Sequence, residues 1–81
     1  IKPSQVALLL VDEPHSKVQD DIILAWAKVI KATAPGFIIW EDPTWRTPAK
    51  HSVAMLNISD VLCPNRPLYL KNKNYRDFYN K

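Results

Sequence analysis

Apolar residues fall along this chain in short blocks separated by amphipathic stretches. Val6 to Val11 is a continuous apolar run without alternation. Such a run predicts a strand buried on both faces, as in a parallel sheet. Asp12, Glu13 and Pro14 end it, since proline cannot donate a ladder hydrogen bond. Ser16 and Gln19 then form an S-x-x-Q capping box. Val18, Ile22, Ala25 and Val29 follow at spacings of four, three and four, a single helical stripe that Trp26 and Ile30 widen. On this pattern the stripe, Trp26 included, is the core-facing side. Asp20 and Asp21 stand near the positive end of the helix dipole, and Lys28 and Lys31 near the negative end. Pro35 and Gly36 stop the helix.

The second half repeats the plan. Phe37 to Trp40 is apolar, and Glu41, Asp42 and Pro43 close it. Thr47 followed by Pro48 predicts a helix start, with Ala49, Val53 and Leu56 as its stripe and His51 exposed among polar neighbours. Val61 to Cys63 is a third short strand before Pro64, and Leu68 to Leu70 reads as a further extended piece. The spacing predicts strands near 6–12, 37–41 and 61–63, and helices near 16–33, 47–58 and 74–81. The block of four apolar residues, two acids and proline at Leu8 to Pro14 recurs at Phe37 to Pro43, 29 positions later. Alternating strand and helix is the mark of an α/β fold with parallel strands and right-handed crossovers. Eight such units would make a (β/α)8 barrel of ~250 residues. At 81 residues the chain reads as a fragment, 1–81, of one such domain, a partial barrel of about three strands.

Composition narrows the classes. A net charge of +3 is too mild to predict nucleic-acid binding. No apolar run reaches the ~18 residues of a membrane span. Cys63 is the single cysteine, so no internal disulfide or zinc cluster is expected; this suits a reducing compartment without assigning one. Gly36 is the only glycine, which excludes a glycine-rich phosphate loop and leaves no nucleotide cofactor expected. A metal site on Asp12, Glu13 and His15 would crowd three ligands into four residues, so no metal is expected and His15 is read as a hydrogen-bond partner of one carboxylate. A Cys63–His15 nucleophile lacks an orienting third group.

The chemistry is expected at the strand ends. Parallel strands bring their C-terminal ends to one rim, where active sites of such folds lie. Asp12 and Glu13 are the leading candidates. Adjacent carboxyls push their pKa values apart, so one can donate a proton while the other stays charged. That division suits cleavage of a glycosidic bond. The alternative is a solvated pair that caps the next helix. Glu41 and Asp42 form a second pair, suited to binding sugar hydroxyls or to orienting Glu13. Trp40 and Trp45 flank it and could stack on sugar faces. Asn65, in the turn after the third strand, completes the expected rim.

Three segments carry a family resemblance. Leu9 to Pro14 ends a strand in Asp-Glu-Pro, Ser59 to Asn65 follows the pattern of a later strand, and Phe78-Tyr79 matches a Phe-Tyr helix start. Together they resemble the later barrel of glycoside hydrolase family 123, although Leu62 and Cys63 stand where that family often has an aromatic residue. The resemblance implies substrate-assisted cleavage of N-acetylhexosaminides, with Glu13 as general acid/base and Asp12 holding the acetamido group. It implies a glycan as the binding partner, together with the remainder of the parent barrel. Two alternatives stay open. One is a retaining two-carboxylate enzyme with Glu13 as acid/base. The other is a non-catalytic carbohydrate-binding or scaffold domain.

Overall fold

The structure is a computed structural model that describes residues 2–80. It has an α/β architecture. Strand β1 is Ala7–Leu9, helix α1 Lys17–Thr33, strand β2 Ile38–Glu41, helix α2 Val53–Ile58 and strand β3 Val61–Leu62. Two further helices, α3 (Arg66–Lys71) and α4 (Lys73–Tyr79), close the chain. Among the described residues the sheet has three strands in the order β1-β2-β3, all parallel, with Leu9 level with Trp40 and Trp40 level with Val61. The parallel order expected from strand–helix alternation is therefore present. Lys81, the last residue of the expected C-terminal helix, lies outside the described residues.

The local signals explain most element boundaries. Ser16 caps α1, its side chain accepting from the Gln19 amide. The capping box is displaced by one residue, because Gln19 reaches back to the His15 amide at 2.8 Å. Asn65 caps α3 and Asn72 caps α4 in the same way. Asn65 and Pro67 thus open a helix where Leu68 to Leu70 had suggested an extended segment, which corrects that reading. The expected helix over 47–58 is split into a 3-10 turn at Pro48–Lys50 and α2. The break has a cause: the Ser52 amide donates to Asp20 Oδ2 at 2.8 Å, and the Ser52 side chain then caps α2 through the Met55 amide. Thr47 precedes Pro48 as expected but makes no side-chain cap.

The core lies on one side of the sheet. Ile39 and Glu41 share a face of β2, since strand side chains alternate, and both are sealed from solvent. Ile23 and Ala27 of α1, Met55 of α2 and Tyr75 of α4 are the other buried hydrophobic residues among those described. A buried hydrogen bond ties the helices: His51 Nδ1 lies 2.9 Å from Asp20 Oδ1. His51 is therefore an interior residue rather than the exposed one expected. Asp60 fastens the exit of α1 to the sheet, accepting from Lys31 Nζ at 2.6 Å and from the Ile39 amide at 2.8 Å. Gly36 is required by close approach, because a Cβ there would stand 2.7 Å from Pro3 Cβ.

Two expectations about burial are overturned. The first strand is not buried on both faces: Ala7 is exposed and Leu8 to Val11 are half-buried. It is also shorter than expected, because the Leu10 amide leaves the ladder for the Glu41 carboxylate. The α1 stripe points outward. Val18 is 69% exposed, Ile22 43%, Trp26 60% and Val29 54%, while Asp20, Ile23 and Ala27 face the interior. In α2 the buried residue is Met55, and Val53 is exposed. The stripes were correctly periodic, but the side that packs was set by Asp20 reaching His51 and Ser52.

Candidate functional site

The ends of β1 and β2 are bound together by a small polar frame. Glu13 has φ 52°, the one positive φ at a non-glycine residue among those described. A left-handed backbone costs such a residue roughly 1–2 kcal/mol, so neighbouring bonds must hold it. Its amide donates to Asp42 Oδ1 at 2.8 Å. Its carbonyl accepts from His15 Nδ1 at 2.9 Å and from Thr44 Oγ1 at 3.1 Å. The Thr44 amide donates to the Pro14 carbonyl at 3.0 Å. His15 therefore bonds the Glu13 backbone rather than a carboxylate. Glu13 and Asp42 occupy equivalent places in the 29-residue repeat, and that equivalence brings them into contact across two adjacent parallel strands.

Within this frame the four acids differ. Asp12 and Glu13 are exposed. The Asp12 carboxyl is raised above the ordinary aspartate range, chiefly by a hydrogen bond to the Asp42 carboxyl and by that group's charge, with Glu13 adding a smaller effect. Glu41 is fully buried. Burial pushes its carboxyl up to about 7, against the stabilising Leu10 and Val11 amides and with help from the Asp42 and Asp12 charges. Oε1 accepts from the Leu10 amide at 3.2 Å, and Oε2 has no partner among the described residues. Glu41 is thus out of reach of a ligand in this arrangement. Asp42 is half-buried and links all three.

The other expected rim residues separate from this group. Trp40 is half-buried on the face of β2 opposite Glu41. Trp45 packs edge-on against His51, ring centroids 5.3 Å apart, so packing accounts for a tryptophan in a polar loop. The Asn65 side chain is occupied as the cap of α3, accepting from the Leu68 amide. Its backbone does reach the rim: the Asn65 amide donates to Tyr75 Oη at 2.8 Å, and that hydroxyl donates to the Pro43 carbonyl. Tyr75 thereby braces the loops after β2 and β3, a role that sequence reasoning missed. Nothing in the local pattern marks it, because its partners lie 10 and 32 positions away.

A cleft of about 460 Å³ opens beside the end of β3 between Leu62, Pro64, Arg66, Tyr69, Tyr79 and Asn80. None of the four acids lines it. Among the described residues no three histidine, cysteine or acidic side chains are grouped to hold a metal ion, and no helix is long and apolar enough to cross a membrane. The arrangement can hold and release a proton at Asp12, and it presents the Glu13 carboxyl to solvent beside it. No protein-family model, curated protein or solved structure matches the chain.

Proposed function

We propose that this chain is part of a (β/α)8 glycoside hydrolase domain acting on a glycan by substrate-assisted cleavage of N-acetylhexosaminides. The observation that carries the reading is geometric: Asp12 and Glu13 stand exposed side by side at one strand rim, with the Glu13 amide held by Asp42. Asp12 also holds its proton more tightly because of Asp42. In the reaction, the Glu13 carboxyl gives its proton to the glycosidic oxygen as the acetamido oxygen attacks the anomeric carbon and the C–O bond breaks. The Asp12 carboxylate accepts the acetamido N–H and balances the positive charge that forms. A carboxylate of raised proton affinity is a stronger acceptor for that bond. Water then attacks the cyclic intermediate, with the Glu13 carboxylate taking its proton. Trp40, half-buried on the open face of β2, is the candidate sugar-stacking wall.

The test is hydrolysis of aryl N-acetylhexosaminides and plain aryl hexosides by the parent protein. Glu13→Gln is expected to lower turnover by roughly 100-fold or more, the usual contribution of a general acid. Asp12→Asn should abolish the preference for the N-acetylated substrate. Undiminished turnover in Glu13→Gln, or no hydrolysis of any glycan by the wild type, overturns the reading. The 81-residue chain alone is expected to hydrolyse nothing, because three strands leave the rim open to water.

A further inference from the structure

Helix α1 is apolar on two opposite sides. At about 100° per residue, Val18, Ile22, Ala25 and Val29 centre roughly 180° from Asp20, Ile23 and Ala27. The second set is buried against the rest of the chain and the first is exposed, with Trp26 at its edge. A helix that covers a sheet is ordinarily polar on its outer side, and one apolar all round is buried all round. Neighbouring helices of a β/α ring lie beside one another rather than outside. The exposed face of α1 is not covered by any of the described residues, and its own pattern is the guide to what covers it.

The pattern of that face specifies the partner. Spacings of four, three and four are those of a heptad seam. Run antiparallel against itself, the seam sets Val18 opposite Val29 of the other copy and Ile22 opposite Ala25. The flanking charges then match. Asp21 and Lys28 lie on one flank, seven positions apart, and the two-fold axis brings Asp21 of each copy to Lys28 of the other. Both side chains are exposed, and Asp21 is paired within its own helix with exposed Lys17, at 2.7 Å. A parallel pairing would instead set Asp21 against Trp26 and Lys28 against Thr33, with no charge matched. We propose that α1 forms an antiparallel interface with α1 of a second copy of this chain, with Trp26 as an edge anchor.

Sedimentation velocity on the full chain between ~1 µM and ~1 mM, with reductant present to keep exposed Cys63 from cross-linking, reads this directly. The wild type is expected to show a reversible monomer–dimer equilibrium. Val29→Glu, at a position exposed in the monomer, should weaken it by ~100-fold, because the change occurs twice in the symmetric contact. Lys28→Glu and Asp21→Lys should each weaken it about tenfold. An equimolar mixture of those two variants should recover the wild-type affinity, since each then meets its opposite charge. Circular dichroism unchanged in all variants separates lost contact from lost folding. A monomer at every concentration, association that survives Val29→Glu, or a mixture no tighter than its components would overturn the proposal.

Discussion

The ends of β1 and β2 carry the same run of four apolar residues, two acids and a proline, and the two copies meet different fates. After β1 the ladder stops at Leu9, so Asp12 and Glu13 fall in a turn and stay exposed, with Glu13 in the left-handed region. After β2, the central strand, the ladder continues through Glu41, which is level with Leu62 of β3 and buried. Position within the sheet, not the motif, decides which acids face solvent and which is a sealed carboxyl. Asp42 shows how the two are coupled, because it raises Asp12, adds to the rise at Glu41 and anchors the Glu13 amide.

The largest expected effect comes from removing the buried charge. In the folded chain Glu41 holds its proton up to about 7, against an ordinary value of 4.5. The folded state therefore binds more protons than the unfolded state between those values. The Glu41 contribution to stability is full below about 4.5 and is lost as pH rises to about 7. Glu41→Gln keeps an acceptor for the Leu10 amide and lacks the charge. It should be more stable than the wild type at pH 8, by on the order of 2 kcal/mol, and nearly equal to it at pH 4. Urea denaturation at the two pH values checks this. An equal pH dependence in the two proteins would mean that Glu41 is not sealed.

The first pair offers the mirror test, and a smaller one. Glu13→Gly relieves the left-handed backbone and should stabilise by about 0.5–1 kcal/mol after the greater freedom of unfolded glycine is counted. Destabilisation measured by the same method would show that the Glu13 side chain contributes to the fold. The smallest effect is the most specific. Asp42→Asn retains an oxygen for the Glu13 amide and should change stability by less than about 0.5 kcal/mol. It removes the anion beside Asp12, so the Asp12 titration followed by carboxyl NMR should move down toward the ordinary range. A fixed Asp12 titration would break the link between the pairs.

Legibility followed the range of the interactions. Ser16 as the cap of α1 was readable because its bond spans three residues, and the shift of Gln19 to His15 altered only a detail. The stripe Val18, Ile22, Ala25, Val29 was readable as a periodicity, but a helix with two apolar sides does not declare which one meets the sheet. Asp20 made that choice through His51 and Ser52, 31 and 32 positions away. For the same reason His51 read as exposed, when it is buried between Asp20 and Trp45. At the site, residue types placed the acids at strand ends, while the contrast between Glu13 and Glu41 was invisible.

By itself the amino-acid order determined the alternation of strand and helix, the parallel direction of the strands and the gathering of acids at their ends. These depend on hydrophobic period, proline stops and caps, all acting within a few residues. The tertiary structure alone decided which strand is central, which face of α1 is inside, and which carboxyl is buried. Those outcomes are fixed by contacts between residues some 30 positions apart, where the strengths of competing burials, rather than any local preference, select the arrangement.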